Sequence, residues 1–102
     1  LQIACKKGDD YFQHIKIDFI KIDVEGYEIF ALEGLKSTIQ NSRPIIVFEY
    51  DTTYNKKTEG ELTLFDYLSK FHYQFYEITR YQPVRITTFD TIKGADILAL
   101  PL

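Results

Sequence analysis

The stretch that most constrains this chain runs from Ile17 to Glu28, Ile-Asp-Phe-Ile-Lys-Ile-Asp-Val-Glu-Gly-Tyr-Glu, an apolar strand pattern that leads into an acid-rich turn and then a helix. Residues 17–24 are rich in Ile, Phe and Val, and a helical period starts only after Gly26, so the repeat changes there from two to about 3.6. Along the strand Ile20, Ile22 and Val24 point to one face, and Phe19, Lys21 and Asp23 to the other. A covering helix normally buries such a face, and an unpaired buried charge is costly. Lys21 and Asp23 are therefore expected to be paired or to have chemical work. Ligands of open α/β sheets bind outside the carboxyl ends of the strands, and Asp23, Glu25 and Glu28 lie at or just beyond such an end.

The rest of the chain alternates in the same manner. Residues 1–5 are compatible with a short strand, residues 6–9 with a turn and Asp10 to His14 with one helical turn. From Gly26 to about Gln40, Ala31, Leu32, Leu35 and Ile39 form a one-sided helical stripe that Pro44 and the residue before it must end. The run from Pro44 to Tyr50 is continuously apolar up to Glu49, as in a strand buried on both faces. Residues 51–61 are polar, with Thr58 and Glu61 spaced as a capping box, and Leu64, Phe65, Leu68 and Phe71 mark a second helix. A strand rich in aromatics is expected at 73–79, an irregular stretch at 80–94 and a last strand at 95–100. Two strand–helix–strand steps predict right-handed crossovers between parallel neighbours. The last two strands, joined by a loop without a helix, are expected to be antiparallel.

A chain of 102 residues with eight Phe and eight Tyr is one small domain with enough apolar side chains for a core. Its net charge of −3 and scattered Lys and Arg supply no basic stripe for nucleic acid, and Lys56-Lys57 is too short a patch to make one. The single cysteine, Cys5, excludes an internal disulfide and has no partner spaced for zinc, which fits a reducing, cytoplasmic setting. No apolar run is long enough to span a bilayer, so no membrane partner is expected. The chain begins with Leu in mid-pattern, which reads as a fragment.

The succession IDFIKIDVEGYE, LKSTIQNSRP, PIIVFEY, FHYQFYEI and ADILALP resembles the carboxyl-terminal half of FkbM-type S-adenosylmethionine-dependent methyltransferases, over nearly the whole chain from about Asp9 onward. The IDVEG core is the more specific part. The resemblance implies an α/β, Rossmann-like half-sheet over residues 1–102, mostly parallel with one antiparallel strand, ordered 4-5-7-6, in which residues 17–24, 44–50, 73–79 and 95–100 are strands 4, 5, 6 and 7. It implies S-adenosylmethionine as cofactor and methyl transfer to a hydroxyl of a sugar or natural product. The family's glycine-rich loop and ribose-binding acid do not occur here: the glycines, at 8, 26, 34, 60 and 94, form no G-x-G. Weak or no binding of the cofactor by this chain alone is the expectation.

Asp23 resembles the strand-4 position facing donor and acceptor, where a carboxylate orients or deprotonates a hydroxyl. Glu25 and Glu28 are candidates too, although acids in a first helical turn also stabilise the helix dipole. Glu49 either converges with Asp23 on one crevice or pairs with Lys21. The candidate catalytic set is thus Asp23, Glu49, Glu25, Glu28 and Lys21. An oxygen-ligated divalent cation held by the four acids is a rival that nothing in the spacing demands, so no metal is expected, and a silent interaction module is a second rival. His14, His72 and Cys5 lack activating partners and read as structural. With three strands of the fold missing, the 17–24 edge is expected to pair with a second copy in a twofold dimer.

Overall fold

A computed structural model describes residues 8–12, 14–23, 28–51, 64–89, 92 and 94–102. They form α1 (Gly8–Tyr11), β1 (Phe19–Ile22), α2 (Glu28–Glu33), α3 (Lys36–Ser42), β2 (Ile45–Asp51), α4 (Leu64–Ser69), β3 (Tyr73–Glu77), β4 (Val84–Ile86) and β5 (Gly94–Pro101). The expected strand at 1–5, the capping box of Thr58 and Glu61, and the residues Cys5 and Glu25 lie outside the described residues.

The five strands make one sheet in the order β1-β2-β5-β3-β4. This corrects the expectation of a mostly parallel, Rossmann-like half-sheet. Only β1 and β2 pair in parallel; β2 with β5, β5 with β3, and β3 with β4 are all antiparallel. Two causes produce the change. Strand β5 lies between β2 and β3, as the order 4-5-7-6 has it, and a reversed strand in that interior place makes both of its ladders antiparallel. The stretch 80–94, expected to be irregular, also folds Val84–Ile86 back on β3 as a fifth strand.

One face of the sheet carries the core. The register sets Ile22, Phe48 and Ile97 in one row and Ile20, Ile46, Ala99 and Phe75 in the next. These residues join Leu32, Ile39, Leu64, Phe65 and Leu68 of α2, α3 and α4 in a single apolar cluster, with Ile20 packed at its margin. Phe65 stands at its centre: its ring lies 4.8 Å from Tyr50, 5.1 Å from Phe75 and 5.9 Å from Phe48, and stacks on Phe89 at 4.4 Å. The opposite face, carrying Phe19, Lys21, Ile45, Val47 and Glu49, is exposed or half-buried, and β1 ends the sheet with Phe19 56% exposed.

The apolar stripe expected as one helix from Gly26 to Gln40 is interrupted at Gly34 and Leu35, where the Leu35 N–H reaches back three residues to the Leu32 carbonyl. The new helix start at Lys36 has no cap of its own and takes one from α1. Asp9 Oδ2 accepts from the Ser37 N–H at 3.0 Å, and Oδ1 accepts from the Thr38 N–H at 2.9 Å and the Thr38 hydroxyl at 2.8 Å. Gly8 permits this approach, because a Cβ there would collide with the Leu35 side chain.

Helix α3 ends at Arg43, in the left-handed region at φ 52°, and Pro44 follows. The Arg43 guanidinium donates to the carbonyl oxygens of Phe71 and His72, at the turn after α4, and lies 5.0 Å from the centre of the Tyr73 ring. The buried Tyr73 hydroxyl donates to the Pro44 carbonyl at 2.6 Å. Burial pushes the Tyr73 phenol up to about 12, and the Arg43 charge opposes the rise.

Truncating the central ring, Phe65→Ala, is expected to lower stability by about 3–5 kcal/mol through the cavity it leaves. Tyr81→Ala, at a residue 89% exposed, is expected to change stability by about 0.5 kcal/mol or less. Urea unfolding of the two variants beside the parent checks both values.

The Tyr73 shift has a definite sign in alkali. Between about pH 10, where an unfolded tyrosine ionises, and about pH 12, the unfolded chain has lost this proton and the folded chain keeps it. Stability is therefore expected to fall across that window and not below it. Tyr73→Phe should show a shallower alkaline fall, with a part remaining from Tyr67, whose phenol is raised by burial and by Glu33 and Asp9.

Candidate functional site

Asp23 follows directly on β1, Glu49 is the fifth residue of β2, and Asp96 is the third residue of β5. Because β5 runs against β2, its beginning lies at the carboxyl end of β2, and the register sets Asp96 opposite Glu49. Ile22 pairs with Phe48, so Asp23 follows at the level of Glu49. Three carboxylates thus stand in one row across three strands, and they line a crevice of about 280 Å³ with Lys21, Val47 and Ile78. The Ile78 N–H donates to the Asp96 carbonyl at 2.8 Å, which extends the β3–β5 pairing to the crevice wall.

The structure brings together three of the five candidates, Asp23, Glu49 and Lys21. Glu28 is apart: it is 2% exposed, at the start of α2, and does not line the crevice. Glu25 lies outside the described residues. Glu49, expected either to converge with Asp23 or to pair with Lys21, lines the crevice with Asp23 and forms no ion pair with Lys21 among the described residues. The burial argument for Lys21 and Asp23 is corrected, since both are exposed. The core helices pack on the opposite face, with Ile22, and leave these charges to water. His14 and His72 are exposed, and both have left-handed backbones.

Asp96 is the residue that sequence reasoning missed. Its signal was the antiparallel direction expected for the last strand, which puts the start of that strand, not its end, beside the carboxyl ends of the parallel pair. Directly opposed like charges weaken an antiparallel ladder, so the Glu49–Asp96 pair is an unfavourable arrangement that a bound hydrogen-bond donor would relieve. The crevice can accept hydrogen bonds from several donors and take up a proton. Among the described residues no three His, Cys, Asp or Glu side chains converge as ligands for one metal ion, and no helix is long and apolar enough to cross a membrane.

Residues 2–76 match the model of the methyltransferase FkbM domain. No curated protein and no solved structure matches the chain. The donor such enzymes imply, S-adenosylmethionine, does not fit the described residues as a whole. The crevice is at the small end for a ligand site and its ionic lining has no flat apolar slot for a nucleoside. Gly94, two residues from Asp96, offers no close backbone cradle, because a Cβ there would meet only the Tyr50 carbonyl oxygen, at an ordinary 3.9 Å. Calorimetric titration of the chain with S-adenosylmethionine is accordingly expected to give no dissociation constant at or below about 1 μM, and one in that range would mean that a donor site has been overlooked.

Proposed function

The chain belongs to the FkbM methyltransferase domain family, and from that premise we propose that its acidic crevice is the acceptor side of a methyl transfer from S-adenosylmethionine to a hydroxyl oxygen of a sugar or natural product. The observation that carries the reading is the row Asp23, Glu49 and Asp96 opening into one crevice at the ends of three strands. Carboxylates accept hydrogen bonds and donate none when ionised, so the row suits a partner rich in hydroxyl donors.

Within this reading Asp23 would accept the hydrogen bond of the reacting hydroxyl and take its proton, while the donor would supply an electrophilic methyl group and leave as the neutral thioether when its methyl–sulfur bond breaks. Glu49 holds the acceptor by a neighbouring donor, which fixes the direction of the attacking lone pair. Lys21 stands on the same strand face two residues before Asp23 and lines the same crevice, where its ammonium can donate to an acceptor oxygen. Glu28, buried in α2, takes no part in the reaction. The small volume admits the reacting end of an acceptor and leaves its remainder over the open sheet face.

The test is methyl transfer to a panel of polyhydroxylated acceptors by a polypeptide that contains this chain and binds the donor. Asp23→Asn keeps the shape and removes the basicity; it is expected to lower kcat by about 10²-fold or more with little change in KM. Glu49→Gln is expected to act mainly on KM. Turnover by Asp23→Asn at the parent rate would show that the proton goes elsewhere.

A further inference from the structure

A cavity larger than the acidic crevice lies at the other end of β1. It measures about 520 Å³ and opens between α3 and the segment that joins α1 to β1. Lys16, on its wall, and Asp23, in the acidic crevice, are separated by seven residues of mostly extended chain, about 20 Å. The two sites share no lining residue.

The lining of this cavity is dominated by donors. One wall is a face of α3 that includes Ser37 and Asn41, and the other carries His14 and Lys16. The acid in the lining, Asp9, spends both carboxylate oxygens on the three donors of Ser37 and Thr38 described above. Ser42 accepts from the Ile17 N–H at 3.0 Å, which closes the cavity toward β1 and leaves the serine hydroxyl to donate. Lys16 lies 3.8 Å from Asp18, but both side chains are more than three-quarters exposed, and such a pair holds its lysine weakly. His14 is set into the wall by a left-handed backbone, φ 66°, a conformation that few residues other than glycine adopt. Phe12 and Ile15, 39% and 55% exposed, add an apolar border.

A ligand that complements this inventory brings many acceptor oxygens, negative charge and a small apolar body. A phosphate monoester meets all three demands, with three terminal oxygens and a charge between −1 and −2 near neutral pH. The volume is within the range of small-molecule sites. We propose that the cavity between α3 and residues 12 and 14–16 is a binding site for a small phosphate monoester, its phosphate held by Lys16, His14 and Asn41 and its apolar body against Phe12 and Ile15. The site is independent of the methyl-transfer reading, since it uses none of the crevice residues.

The probe is phenyl phosphate, titrated into the full chain labelled with nitrogen-15 and followed by NMR. Saturable shifts at His14, Lys16 and Asn41 with a dissociation constant of about 1 mM or tighter are expected. Inorganic phosphate, without the ring, and benzoate, without the third oxygen, should each bind several-fold more weakly. Lys16→Ala and His14→Asn should each weaken phenyl phosphate about tenfold while the rest of the spectrum stays in place; asparagine tolerates the left-handed backbone at position 14. Asp23→Asn should leave the affinity unchanged. The proposal is overturned by the absence of saturable shifts up to about 20 mM, by benzoate or inorganic phosphate binding as tightly as phenyl phosphate, or by equal affinity in the Lys16 and His14 variants.

Discussion

The insertion of β5 between β2 and β3 is the constraint on which the rest of this structure depends. Ile97 and Ala99 are fully buried there, between Phe48 and Ile46 on one side and Phe75 on the other, so the centre of the sheet is tied together by the last residues of the chain. Both ladders of β5 are antiparallel, and their registers leave no freedom to slip, because a shift of one residue would carry Ile97 and Ala99 to the open face and Asp96 into the core. The same registers place Asp96 against Glu49. The acidity of the crevice is thus a consequence of how the core is closed.

Ends of helices in this small fold are completed by distant groups. Asp9 caps α3 from 28 and 29 residues away, and Arg43, at the end of α3, binds the carbonyls that follow α4. The His72 carbonyl receives the Leu102 N–H as well, at 2.9 Å, so the residue that follows β5 is fastened to the same turn. Helices of six and seven residues are too short to be stable alone, and these ties, with the face that each helix buries, hold them against the sheet. They also separate the two cavities chemically. Capping ties the Asp9 carboxylate to Ser37 and Thr38 and leaves the side chains of His14, Lys16 and Asn41 to line the cavity around it, whereas the exposed sheet face keeps its three carboxylates.

Strands and helices were legible where a local period was strong. The alternation in 17–24, the apolar run in 44–50 and the aromatic pattern in 73–79 each name a strand without outside help, and the strands lie at 19–22, 45–51 and 73–77. The break at Gly34 and Leu35 was not legible, because the apolar stripe of Leu32, Leu35 and Ile39 runs through it; the interruption is set by the contact of Gly8 and Asp9 with that turn. Strand β4 was hidden by the Pro83 that precedes it and by its length of only three residues, two of them exposed. Of the site, Asp23 and Glu49 could be read from their places at strand ends. Lys21 and Asp23 were singled out by a burial that does not occur, as the helices gather on one face only.

The sequence by itself determined the periodicities, the acids at the ends of two strands and the family signature, because these depend on residues close together along the chain. Only the tertiary structure decided which face of the sheet is covered, that the pairings are mostly antiparallel, and that Asp96 joins Glu49. Those outcomes rest on contacts between segments some 47 residues apart, whose free energy is shared by the whole core and is written in no single window of the chain.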